Sequence, residues 1–349
     1  MSLRKRYYIE EYGKLKTFIY SFACSFIFIS ALLLLYGKNP FLAFYYIGLS
    51  NVSSVFAFSE IFVRATPLLL VSLGTVVAFR ARFWNLAGDA QFYVGALVAT
   101  VIGLARLHWP IHPVLCLIFG GLAGSVIGVF AATLKTKLKV DEVVVTLMLN
   151  FIIFYFLSLL LQTIMRNPNT NWPESEYIRT TALLPVLLSK TRFHLGIIIA
   201  FAFVPFMDFL LNKTLFGKEI IAIGLNPKAA KLNKIDVKKN LIKVGFLSGF
   251  LCGIAGAIEI LGVHHHLTTN ISANYGIYGI IISTASMLSV YGAALLSILF
   301  SFLINGSTSL ARFMQIPSFV ADVISSFVLI AVAIFSVFEK YKLVIEWKK

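Results

Sequence analysis

Few side chains in this 349-residue sequence could do chemistry, and most of them sit inside or between apolar runs. The stretch Arg80–Gly95, RARFWNLAGDAQFYVG, carries Trp84, Asn85, Asp89 and Gln91 with no loop-length spacing on either side. Asn150 lies within the apolar run that begins at Glu142, and Glu259 lies one helical turn beyond Gly256. Amides and carboxylates in such surroundings face a bundle interior, a partner or a water-filled path. The set suits passage of a small polar solute better than bond-making chemistry. No Ser/His/Asp or Cys/His group converges at one expected depth, and Cys24, Cys116 and Cys252 all lie in apolar runs as small hydrophobes. His264, His265 and His266 are consecutive, so they point in different directions and do not form a metal cage. A G-x-x-x-x-G-K-[ST] loop is absent, so ATP hydrolysis is not expected of this chain, nor a bound metal or cofactor.

The elements that must position these groups follow from the solvent. With 59% hydrophobic and 13% charged residues and a mean hydropathy of +0.87, a soluble domain would expose large apolar patches. The formal charge of +15 is scattered between apolar runs, which fits loops beside lipid and excludes a nucleic-acid surface. Length and hydropathy predict an all-α fold, a polytopic transmembrane helical bundle of about ten spans. They fall near 18–36, 60–79, 89–105, 113–134, 142–163, 194–211, 240–262, 276–290, 291–305 and 318–338. The eighth and ninth are short and nearly contiguous, as one long or broken helix would be. Arg80, Arg82, Lys135, Lys137, Lys139, the 212–239 loop and both basic ends then fall on the cytoplasmic side. Residues 164–193 form the sizeable external loop, the histidine run follows the seventh span on that side, and Asp322 starts the last helix. Residues 1–349 read as a single membrane domain.

Two glycine ladders set the packing. Gly120, Gly124 and Gly128 recur every four residues in the fourth span, and Gly245, Gly249 and Gly253 do so in the seventh. Small residues at that spacing let helix backbones approach closely in lipid. Ladders in each half hint at two inverted five-helix repeats. The loop 212–239 holds seven lysines against Glu219 and Asp236, and Gly217 to Ile235 is built for short helices. Asn226 caps and Pro227 occupies the first helical position of one of them. So long an ordered cytoplasmic loop is expected to receive a soluble partner.

At these residues the chain resembles the inner-membrane permease subunits of bacterial ABC importers for branched-chain amino acids, simple sugars and nucleosides. Phe83–Phe92 is similar to the family's F/W-N-I-G-A-E-G-Q segment, departing from Leu86 to Ala90, and Ala222–Ala230 matches A-x-G-x-N-P-x-A-A. Glu142–Asn150 resembles E-V-I-x-T-L-M-L-N, and Tyr275–Ile280 echoes Y-G-F-x-G-I. The stretch Ser248–His264 resembles the longer permease of nucleoside-type systems. The resemblance implies import of nucleosides or related sugars by alternating access. It also implies a second permease subunit, ABC ATPase partners that hold ATP and magnesium, and a substrate-binding lipoprotein, at the bacterial inner membrane. Gly217, Gly224, Asn226, Pro227, Ala229 and Ala230 would couple to the ATPase, with Ile220, Ile221, Ile223 and Leu225 seated in its groove. Trp84, Asn85, Asp89, Gln91, Asn150 and Glu259 would line the path. The rival reading is a stand-alone carrier or channel, for which 212–239 is a mere connector.

Overall fold

The computed structural model describes residues 2–5, 11–317, 319–320, 323–324, 326–328, 330–331, 334 and 341–344. Apart from one ribbon, the regular elements among them are helices. Ser2–Lys5 (β1) pairs antiparallel with Tyr341–Val344 (β2), Ser2 opposite Val344 and Lys5 opposite Tyr341. The helices are α1 (Glu11–Leu35), α2 (Pro40–Val52), α3 (Val55–Arg80), α4 (Gly88–Gly103), α5 (Ile111–Thr133) and α6 (Glu142–Gln162). They continue with α7 (Leu195–Lys213), α8 (Leu215–Leu225), α9 (Pro227–Leu232), α10 (Val237–Glu259), α11 (Tyr275–Ala285) and α12 (Val290–Phe313). Two compact units contain them, one of residues 62–298 and one of residues 1–61 with 299–349.

Among the described residues six helices are long and apolar enough to cross a bilayer: α3, α5 extended to Leu138, α6, α7, α10 extended to His264, and α12. The multi-span helical class holds, whereas a count of ten full spans does not follow from helix length. The shortfall has physical causes. At 1.5 Å per residue, α4 with 16 residues and α11 with 11 reach about 24 and 16 Å, short of a hydrocarbon core of about 30 Å. Both begin where the backbone emerges from an irregular segment. The contiguous eighth and ninth spans are instead α11 and a 24-residue α12, separated by a turn in which Met287 (φ 54°) and Leu288 (φ 61°) are left-handed. Pro40–Val52, expected as loop, is a helix bent 113° from Ala23–Leu35, with Asn39 Oδ1 accepting from Phe41 N at 2.9 Å. Most of the expected last span, Asp322 included, lies outside the described residues.

The 62–298 unit is built on a seam of glycines. A Cβ added to Gly124 would come within 3.0 Å of Gly249, one on Gly128 within 3.0 Å of Gly245, and one on Gly253 within 3.0 Å of Gly120. The two ladders therefore lie directly on each other, α5 against α10. Gly95 of α4 meets Gly253, and Gly256 of α10 meets Phe92 O, so α4 completes a three-helix core. In lipid, where burying leucine gains little, such backbone proximity supplies the dispersion energy that holds helices together. In the other unit, Asn51 donates to Ile47 O (2.8 Å) and Phe302 O (3.0 Å) while accepting from Asn305 Nδ2 (2.9 Å), so a buried polar group is fully used.

Candidate functional site

Between Arg80 and Gly88 the chain leaves the helix and runs irregularly, Arg82 taking a left-handed φ of 50°. Backbone that is not helical leaves its polar groups needing partners, and α6 supplies them. Asn150 Nδ2 donates to Leu86 O at 2.8 Å while its Oδ1 accepts from Ala90 N at 2.9 Å. Thr146 Oγ1 accepts from Leu86 N at 3.2 Å. Asn150 is thus a brace of the break, its oxygen and one of its two amide N–H groups used on backbone. Asn85 Nδ2 donates to Ser248 Oγ at 2.9 Å and exchanges 3.3 Å bonds with Gln91. Because Ser248 stands midway along α10, the break ends about halfway up that helix. Asn85 and Gln91, 3% and 0% exposed, form a sealed knot that locks α4 to α10, away from any open path.

A second irregular segment meets this one. After α10 ends in a π-helical turn, residues 265–274 run to α11 with Ala273 (φ 43°) and Asn274 (φ 62°) left-handed. Asp89, in the first turn of α4, closes the junction: its Oδ1 accepts from Gly276 N at 2.8 Å and from the Ser272 hydroxyl. Gly88 and Gly276 let the two helix starts touch, a Cβ on Gly88 lying 3.0 Å from Gly276 Cα. Beside the junction is a cavity of about 580 Å³, lined by Asp89, Tyr93, Asn150, Asn270 and Asn274 among others, with Phe151, Phe154 and Tyr155 as an aromatic wall. Tyr93 donates to Thr269 O at 2.8 Å and so ties α4 to the second irregular segment.

The expected path residues therefore separate. Asp89 and Asn150 line the cavity; Asn85 and Gln91 lie behind it. Trp84 is half exposed and packs edge-on against Phe79 at 4.7 Å, outside the cavity. Glu259 is buried at the far end of α10, where His264 Nε2 stands 3.4 Å from its Oε1. Tyr93, Asn270, Ser272 and Asn274 carry no signal in the sequence, because an aromatic within a helix and small polar residues in a loop look the same whether or not they meet a cavity.

The segment 164–193 folds over the ends of α4 and α10: Arg179 N donates to Gly103 O at 2.9 Å, Ile178 N to His265 O at 2.8 Å and Leu184 N to Leu261 O at 3.0 Å. The histidines are less wetted than their run suggests. His266 Nε2 lies 3.6 Å from Glu174 Oε2, and His265 Nδ1 is buried. His194 is buried with neither ring nitrogen hydrogen-bonded among the described residues; burial, with His265 and Arg192 nearby, lowers its pKa to about 4. Among the described residues no three His, Cys, Asp or Glu side chains gather as metal ligands.

At the lysine-rich end, α8 and α9 occupy the middle of the 212–239 loop. Asn226 Oδ1 accepts from Lys228 N (3.0 Å) and Ala229 N (3.2 Å), with Pro227 as the first helical residue. The faces of these helices differ from the expected docking surface. Ile220, Ile223, Gly224 and Ala230 are buried within the chain, as is Gly217, which abuts Leu211 O. Gly224 abuts Arg80 O, and its added Cβ would lie 3.2 Å from Arg80 C. The outward apolar residues are instead Leu215, Ile221, Leu225 and Leu232, the last two 72% and 86% exposed, with Ala229 also exposed. Arg80 itself donates to Leu288 O (3.0 Å) and Asn212 Oδ1 (2.8 Å), gathering three elements where the first break begins.

Comparison with known proteins agrees with this architecture. A family model described as branched-chain amino acid transport system / permease component matches residues 57–335. The chain is similar to the guanosine ABC transporter permease protein NupP of Bacillus subtilis, 29% identical over 276 residues, 77% of this chain and 79% of that protein. It is 25% identical over 319 residues to the nucleoside ABC transporter permease protein NupB of Lactococcus lactis, covering 87% of this chain and 86% of the relative. The glucose ABC transporter permease protein TsgB13 of Haloferax volcanii is 26% identical over 318 residues, 87% and 83% of the two chains. No solved structure matches. With four fifths of its length accounted for by one family model, and six helices fit to cross a membrane, the chain belongs to the branched-chain amino acid transport system permease family.

Proposed function

We propose that this chain is the pore-forming subunit of an ATP-driven importer for nucleosides or related simple sugars, working by alternating access. The observation that carries the reading is the seat of α8 on the first break. Gly224 touches the backbone of Arg80, and residues 81–87 lead directly from there to the cavity at Asp89. A push on α8 and α9 therefore arrives at the irregular backbone beside the solute space. Irregular backbone inside a bilayer persists only where protein or a water-filled path surrounds it, which is the expectation for discontinuous helices of transporters.

ATP hydrolysis, with ATP and magnesium bound, belongs to an ABC ATPase that docks on Ile221, Leu225, Ala229 and Leu232. A binding lipoprotein delivers solute at the 164–193 face. A second permease, a paralogue, covers the cavity beside α6, since Asp89, Asn270 and Asn274 do not face lipid without great cost. The membrane is the bacterial inner membrane. Both ends are cytoplasmic, as the lysine and arginine distribution leads one to expect, and the pairing of Ser2–Lys5 with Tyr341–Val344 keeps them on one side. Residues 1–349 act as one membrane domain, because the family match runs through both compact units. The chain is built as two inverted five-helix repeats, a reading that rests on the occurrence of a glycine ladder in each half of the sequence.

Two variants test the reading. Leu225→Asp with Leu232→Asp places charge on the docking face, and the ATPase is no longer recovered with detergent-solubilised permease. Gly224→Val leaves that face intact but wedges α8 off Arg80, so ATPase stays bound while uptake falls. Normal ATP-driven uptake by both variants would overturn the coupling role of α8 and α9.

A further inference from the structure

Resting on the importer reading, we propose that Asp89 contacts the solute and makes the permease itself selective for neutral, hydroxyl-bearing ring compounds. Both hydrogen bonds that hold Asp89 land on Oδ1, from Gly276 N and Ser272 Oγ. Its Oδ2 has no hydrogen-bond partner among the described residues, and the residue lines the cavity. The other polar groups of that lining are already committed or complementary. Asn150 spends its oxygen on Ala90 N and one of its two N–H groups on Leu86 O, and the Tyr93 hydroxyl donates to Thr269 O. Asn270 and Asn274 are exposed, and among the described residues neither side-chain amide has a protein partner. One carboxylate oxygen and two free amides therefore present acceptors and donors at short range, the pattern that matches hydroxyls on adjacent carbons.

The rest of the wall narrows the class. Tyr93 and Phe154 are 6.0 Å apart edge to face, and Phe154 and Tyr155 5.5 Å, so one side of the cavity is a continuous aromatic surface. A ring with an apolar face and a hydroxylated edge satisfies both sides at once. Among the described residues no Lys, Arg or His lines the cavity, so on this chain's side a phosphate or carboxylate would be desolvated beside Asp89 without a counter-charge. This chain's share of the lining therefore favours a ribonucleoside or a neutral sugar over the phosphorylated form of either.

The test uses the complete transporter, with ATPase, second permease and binding protein, in proteoliposomes. Import of a ribonucleoside is compared with its 2′,3′-dideoxy analogue, and glucose with a deoxyglucose, which separates the two sources of the hydroxylated ring. The binding protein is the same throughout, so its preference cancels between variants. Asp89→Asn keeps the Oδ1 acceptor and turns Oδ2 into a donor. The expected result is a hydroxyl preference about tenfold smaller than that of the unaltered permease, the size of one hydrogen bond to a charged group. An unchanged preference in an assembled Asp89→Asn transporter overturns the proposal. Should that variant fail to assemble, Asn270→Cys, at an exposed position, is labelled with a small maleimide. Saturating hydroxylated solute slows labelling and the deoxy analogue does not; equal rates overturn the proposal. Absence of ATP-dependent import by the unaltered complex would instead remove the importer reading, and this inference with it.

Discussion

Replacing Gly245 with alanine isolates the contact on which the membrane core depends. The added Cβ would lie 2.5 Å from Gly128 O, 2.9 Å from Ala132 Cβ and 3.0 Å from Gly128 C, where ordinary contact begins at 3.4 Å. All three neighbours belong to α5, and two are backbone, so no rotamer change relieves the overlap. The helices must separate by about 0.9 Å at that point. A gap of that size forfeits roughly a quarter to a half of each dispersion well along the seam. Overpacking of this kind costs about 1–3 kcal/mol, and lipid offers no hydrophobic gain to offset it. Gly48 in α2 is the control, since a Cβ there meets nothing within 4 Å. Gly48→Ala should be neutral, or stabilising by about 0.5–1 kcal/mol through its helix propensity. The assay is thermal unfolding of each variant in the same detergent, read as the midpoint of loss of monodisperse protein. Gly245→Ala should fall clearly below the unaltered chain and Gly48→Ala should not. Equal midpoints for the two variants would refute the seam as the source of stability.

Asn150→Leu strands the Leu86 carbonyl and the Ala90 amide, which should cost about 1–3 kcal/mol and raise hydrogen exchange at residues 85–90 above that of α10. The His194 imidazole carries a pKa near 4 in the folded chain against 6.5 ordinarily, so the unfolded chain binds the extra proton. Stability tied to His194 is therefore intact above about pH 6.5 and lost as pH falls towards 4, and His194→Phe should flatten the acid limb of a midpoint-against-pH curve. Asn226→Ala removes the cap of α9 at a cost of about 1 kcal/mol, which should increase proteolysis at the Pro227–Leu232 stretch without lowering the thermal midpoint of the spans.

How much of this the sequence disclosed depends on whether the signal was local. Asn226 with Pro227 is a local start signal, and α9 begins there. The ladders were visible as four-residue spacing, yet spacing defines only a face; that α5 and α10 turn those faces on each other is tertiary. Pro40–Val52 is not legible as a membrane element because its 13 residues fall below a span's length, and nothing local announces a 113° bend. The outward face of α8 is ambiguous in the sequence for a related reason. Ile220, Ile221, Ile223 and Leu225 are all apolar, so composition alone does not tell the buried pair from the exposed one. Asp89 was visible as a lone acid in an apolar stretch, whereas its partners Ser272 and Gly276 lie more than 180 residues away and share no pattern with it.

The central claim is that this chain forms a pore driven by a separate ATPase through α8 and α9. Its most direct test is solute uptake into proteoliposomes holding the permease, with ATPase, second permease and loaded binding protein each added or omitted. The account predicts accumulation only when ATP and all partners are present, and its loss with Gly224→Val while ATPase remains bound. Uptake of the same solute by the permease alone, at the same rate without ATP, would contradict it.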